Sequence, residues 1–117
     1  MAENVVFDKS KMFAIRAVRL YRHLQSVKKE NVLSKQLLRS GTSIGANVRE
    51  AIRGQSRKDF VSKMNIALKE ASESEYWIEL LFETGYLKES EFQSIIADCK
   101  ELNKLLISIV KTSTKKL

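Results

Sequence analysis

The chain has 117 residues, 44% hydrophobic and 30% charged, with 21 Lys and Arg against 14 Asp and Glu and a formal net charge of +7. That size and apolar content suit one domain built on one core, and the most apolar segment, Leu105 to Val110, falls far short of the roughly 20 residues that span a bilayer. A single cysteine, Cys99, excludes an intrachain disulfide, and one histidine with no second thiol beside it supplies no metal cluster.

No proline and only four glycines interrupt the chain, so long helices are favoured. The first is predicted from about Asp8 to Lys28, where Phe13, Ala17, Leu20, Leu24 and Val27 recur at spacings of three and four. Ala14, Val18 and Tyr21 widen this stripe to about half the circumference at ~100° per residue, more than one core needs, which predicts burial between copies of the protein. The second helix is predicted from Val32 to Arg53, with Leu33, Leu37, Ile44, Val48 and Ala51 on one face. Gly41 and Gly45 inside it each cost about 1 kcal/mol of helix propensity relative to alanine, which predicts a close backbone approach at that level.

Ser56 with Asp59 three residues on forms a capping pattern for a third helix over 57–84, carried by Phe60, Met64, Ala67, Ala71, Ile78, Leu81 and Phe82 and stopped at Gly85. Ser90 with Gln93 marks a fourth over about 91–112, along Phe92, Ile95, Cys99, Leu102, Leu106 and Ile109, with 113–117 as a fraying tail. Cys99 at this spacing reads as a core residue rather than a reactive thiol. Short links between helices of similar length make neighbours antiparallel, so the expected architecture is an all-α, up-down-up-down four-helix bundle spanning residues 1–117. The N-terminus shows no basic region followed by a long apolar run and a cleavage site, and a cytoplasmic location is expected.

The stretch RSGTSIGANVREAIRGQSRKDF, from Arg39 to Phe60, and ALKEASESEYWIELLFETGYL, from Ala67 to Leu87, closely resemble the signature of the 23S rRNA intervening sequence proteins. The most specific positions are Arg39, Ser40, Ser43, Ile44, Asn47 and Glu50, then Phe60, Ala67, Glu70, Ala71 and Gly85. Many members of that family carry glycine directly after the glutamate that here is Glu50, whereas this chain has Ala51 and keeps Gly54. The resemblance implies a four-helix bundle that assembles as a homo-oligomeric ring, five copies being favoured, with no enzymatic activity and no cofactor. Some members are encoded within insertions in large-subunit rRNA genes. A related branch is the accessory protein of diversity-generating retroelements, which partners a reverse transcriptase and contacts nucleic acid.

The charge is unevenly placed: residues 1–63 hold 14 Lys and Arg against 5 Asp and Glu, net +9, and residues 64–117 hold 7 against 9, net −2. On the second helix Lys35, Arg39, Thr42, Arg49 and Arg53 share an arc of about 80° opposite the apolar face. On the first, Lys9, Arg16, Arg19 and His23 form a second stripe, and Arg57, Lys58 and Lys63 extend the charge into the third. These are the candidate contacts to RNA or DNA phosphates; the competing reading is a set of solvated faces and salt-bridge partners on a protein-interaction scaffold. Ser40, Ser43, Asn47 and Glu50 lie beside the core stripe as a polar set suited to fixing helix register. His23 has Leu20, not glutamate, three residues before it, so the Glu-x-x-His ligand pair of di-iron bundles is absent. The Glu70 and Glu73 pair and the Glu75, Glu79 and Glu83 edge read as solvent-facing charges or partners of a second subunit, and Tyr76, Trp77 and Tyr86 as packing or interface anchors.

Overall fold

The computed structural model describes residues 2–117; Met1, the first residue of the expected domain range, lies outside the described residues. Four helices follow one another, α1 over Ala2–Ser26, α2 over Leu33–Ile52, α3 over Arg57–Glu83 and α4 over Glu89–Thr114, and no strand occurs among the described residues. Each helix packs on the next and α1 closes the set against α4, in a body of 46 × 20 × 19 Å. Residue pairs across the seams fix the directions. Ser40 and Glu50 of α2 meet Ser74 and Lys63 of α3, and Lys9 and Arg16 of α1 meet Glu101 and Asp98 of α4, so rising numbers on one helix face falling numbers on its neighbour. No described helix is long and apolar enough to cross a membrane.

Most of the predicted stripes form the core: Phe13, Ala17 and Leu24; Leu37, Ile44 and Val48; Met64, Ala67, Ala71, Ile78 and Leu81; and Cys99, Leu102 and Leu106 are buried, while Leu20, Leu33, Phe60, Phe82 and Phe92 pack against it partly exposed. The first helix nevertheless starts six residues before the expected Asp8. Val6 and Ser10 continue its buried face, and Ser10 hides the pattern because a hydroxyl occupies a core position, its Oγ donating to the Phe7 carbonyl at 2.8 Å. Val27, expected on the core face, is instead 62% exposed, because the helix has ended at Ser26 and Lys29 turns the chain with a φ of 59°. The fourth helix begins at Glu89, where the Glu91 carboxylate accepts the Lys88 backbone N–H at 2.8 Å, rather than at a Ser90 cap. It runs to Thr114, into the expected tail, because Ser113 falls on the buried face one turn past Ile109.

The glycine expectation has a direct geometric counterpart. A Cβ on Gly41 would lie 2.9 Å from the Ala17 Cβ and 3.4 Å from the Phe13 ring, and one on Gly45 would lie 3.3 Å from the Ser10 Oγ. The helices α1 and α2 therefore approach through small residues on both sides. Ser56 accepts the Asp59 N–H at 3.0 Å as the α3 cap. At the far end Gly85, with φ of 89°, lets its own N–H reach the Phe82 carbonyl and the Tyr86 N–H reach that of Leu81, closing α3 in a Schellman arrangement.

One determinant has no periodic signature. Glu30, only 7% exposed, accepts from the N–H groups of Val32, Leu33 and Ser34 at 3.0, 2.8 and 2.8 Å, and so caps α2 from before its first turn. Burial pushes its carboxyl up, but the backbone donors outweigh burial and hold it below its ordinary value of 4.5. Its stabilising contribution is thus complete above about pH 4.5 and drains away as pH falls through the lower folded-state value. Glu30→Ala is expected to cost about 1–2 kcal/mol at pH 7, read from urea melts, and the difference from wild type should shrink toward pH 3.

Candidate nucleic-acid interface

The helices distribute the ten candidate cationic residues into different settings rather than one surface. Two belong to the α1–α4 seam. The Lys9 Nζ lies 3.2 Å from Glu101, and Arg16 reaches Asp98 at 2.6 Å while donating to the Ser94 hydroxyl and carbonyl. Arg39 crosses from α2 to α3, where it pairs with Glu70 at 3.4 Å and with Glu73, whose carboxylate also accepts the Trp77 indole N–H at 3.2 Å. Burial works against the charged guanidinium, but Glu70 and Glu73 together outweigh it and hold Arg39 more firmly protonated than usual. Both carboxylates thereby meet a cation of their own chain, while the Glu70 Oε1 is buried without a partner among the described residues. Ion pairs as exposed as these contribute about 0–1 kcal/mol each, so they orient the helices more than they stabilise them.

Arg49 stacks its guanidinium 4.8 Å from the Phe7 ring centroid, an attraction of cation to π face that leaves its donors at the surface. It stands at one end of the bundle, where α2 finishes at Ile52 and α3 starts at Arg57. Arg53, Arg57 and Lys58 are exposed on this same turn, and no ion pair among the described residues involves them. Antiparallel topology brings the C-terminus of α4 to this end as well, with exposed Lys111, Lys115 and Lys116. Glu3 and Asp59 oppose them, while Glu50 is taken up by Lys63 at 3.1 Å. A shallow recess of about 540 Å³ between Asn4, Ile52, Gln55, Arg57 and Phe60 opens on the same turn. Lys35 is remote: the 18 residues separating it from Arg53 correspond to about 27 Å of helix. Arg19 and His23 line a separate groove between α1 and α4.

Lys111 lies in the last turn of α4 and Lys115 and Lys116 follow it; that they share this end of the bundle with Arg53 emerges only from the antiparallel topology, α4 packing on α1 and α3. An array of exposed Arg and Lys at one end can hold phosphate oxygens through charge-assisted hydrogen bonds, with little discrimination among bases.

The polar set on α2 divides in two. The Ser40 hydroxyl lies 2.8 Å from that of Ser74, both fully buried, and Glu50 reaches Lys63, so these two tie α2 to α3. The Ser43 hydroxyl and the Asn47 amide instead donate to the Arg39 and Ser43 carbonyls of their own helix. Ser74, the partner that gives Ser40 its role, carries no signal in sequence beyond a serine at a core position.

Cys99 sits in the core with its thiol donating to the Ala71 carbonyl at 3.4 Å. Burial, reinforced by Glu75, Glu79 and Asp98, pushes the thiol up to about 12. Since the thiolate is the nucleophile, native protein at pH 8 is expected to react with a thiol reagent at least about 100-fold more slowly than protein in denaturant. Equal rates, measured by mass, would contradict this placement. Among the described residues no three His, Cys, Asp or Glu side chains converge on a metal-sized site.

No curated protein matches the sequence. The fold is similar to that of a crystal structure from Bacteroides thetaiotaomicron, a protein of unknown function from the S23 ribosomal protein family, with a TM-score of 0.93 and 60% identity over 95% of this chain and 99% of that one. A family model, the 23S rRNA-intervening sequence protein, matches residues 2–108, which takes in all of α1 to α3 and most of α4. With the Arg39 to Phe60 and Ala67 to Leu87 motifs, the four-helix architecture and this match in agreement, the chain belongs to the 23S rRNA-intervening sequence protein family.

Proposed function

We propose that the protein is a non-enzymatic, self-associating module that binds nucleic acid or a nucleoprotein through one end of its bundle. The observation that carries this reading is that exposed Arg49, Arg53, Arg57 and Lys58 share one end of the bundle with exposed Lys111, Lys115 and Lys116. It favours this end over Lys9, Arg16 and Arg39, because those three already hold acidic partners inside the chain. Self-association is supported by α1, whose outward face carries Val5, Met12 and Ile15, Met12 being 67% exposed. By resemblance the assembly would be a ring of five with a reverse transcriptase or other nucleoprotein as a fitting partner, and the sequence's composition favours the cytoplasm.

The test is binding of the purified protein to a structured RNA and to duplex DNA over a salt series, with the solution mass measured on the same sample. A multimer whose affinity falls steeply with salt supports the reading. A multimer that retards neither polymer at physiological salt overturns it in favour of a protein-interaction scaffold.

A further inference from the structure

The seam between α1 and α4 is the sparsest of the four, and toward the start of α4 it opens into a groove of about 500 Å³. Its floor is apolar, partly buried Leu20 lying beside the buried Leu87 and Ile95. One wall is cationic. Arg19 and His23 stand one helical turn apart, with side chains on adjacent positions of the same face, and neither takes part in an ion pair among the described residues. Arg16 marks the inner limit of that wall, held in place by Asp98 and Ser94. Ser90 lies on the α4 side of the lining, and the one acid there, Glu91, is turned back onto the Lys88 N–H.

We propose that this groove binds a small organic phosphate, a phosphomonoester carried on a compact apolar or aromatic body. The phosphoryl group would lie against Arg19 and His23, where a guanidinium fork and an imidazole N–H supply converging donors. The body would rest chiefly on Leu20, because Leu87 and Ile95 are only 6% and 3% exposed. The volume falls within the range of about 300–1,000 Å³ typical of small-molecule sites, and a few placed polar groups over an apolar floor is their usual composition. The groove lies toward the end of α1 and the start of α4, the opposite end of the bundle from Arg53 and Arg57, so it is separate from the surface proposed for nucleic acid.

Calorimetric titration of the full chain with adenosine 5′-monophosphate, adenosine and inorganic phosphate tests this. The monophosphate is expected to bind with a Kd on the order of 0.1 mM, and adenosine and phosphate each at least about tenfold more weakly, since each uses only half of the site. Arg19→Gln with His23→Gln, both exposed positions, should weaken the monophosphate about tenfold or more while Arg53→Gln with Arg57→Gln leaves it unchanged. Three results would overturn the proposal: no binding of the monophosphate at millimolar concentration, indifference to the Arg19 and His23 substitutions, or an equal loss on changing Arg53 and Arg57, which would mark attraction to net charge alone.

Discussion

Gly41→Leu is expected to cost about 3 kcal/mol of stability, the upper part of the range for overfilling a packed interface. The sign follows from a contest between two terms. Away from tertiary contacts, replacing a mid-helix glycine with alanine or leucine gains about 1 kcal/mol of helix propensity. Here even the first added carbon would meet the Ala17 Cβ at 2.9 Å and the Phe13 ring at 3.4 Å, and both belong to a neighbouring helix packed along its length. Leucine places three further carbons where α1 stands, so α1 must move outward and the buried positions Ser10, Phe13 and Ala17 lose their fit. Gly41→Ala should give a smaller loss, about 1 kcal/mol, because propensity offsets part of the strain. Adding Ala17→Gly to Gly41→Ala removes the opposing methyl, and the double variant should be more stable than the sum of its two single changes allows. Urea melts with unchanged m-values read all three, and a Gly41→Leu protein as stable as wild type would refute the close α1–α2 approach.

The second large effect concerns function. Changing Arg49, Arg53, Arg57 and Lys58 together to glutamine is expected to lower RNA affinity on the order of 100-fold near physiological salt and to flatten its salt dependence by about 3 in slope, four phosphate contacts being lost. All four are exposed and none bonds across a helix seam, Arg49 giving up only its stacking on Phe7, so the fold should survive. The matched control is Lys9→Gln with Arg16→Gln. It removes two charges from the same half of the sequence, but charges that already hold Glu101 and Asp98, and it is expected to weaken binding less than about threefold. If charge alone governed binding, the two variants would differ only by the number of cations removed.

The contrast between those variants marks where sequence stops being informative. Apolar spacing placed four helices and most of the core, because a stripe of Phe13, Ala17 and Leu24 or of Cys99, Leu102 and Leu106 is a local property of one helix. It missed the first turns of α1 where Ser10 stands in for an apolar residue, and it missed Glu30, whose role depends on three backbone N–H groups rather than on a side-chain pattern. The basic residues were visible as residues, but their availability was not. Arg39 meets Glu70 and Glu73 from more than 30 positions away and Lys9 meets Glu101 from 92, pairings that exist only once antiparallel seams are formed. The same seams bring Lys111, Lys115 and Lys116 to the end of the bundle that bears Arg53 and Arg57. Helical projection shows which face a charge occupies; packing decides whether that charge is already spoken for.

The most direct test of the nucleic-acid reading is the slope of log affinity against log salt for a structured RNA, measured side by side for wild type and for the Arg49, Arg53, Arg57 and Lys58 glutamine variant. The proposed interface predicts a steep negative slope for wild type and one shallower by about 3 for the variant, both proteins retaining the same helix content and solution mass. Equal slopes with equal affinities would show that this end of the bundle does not touch phosphate, and would contradict it.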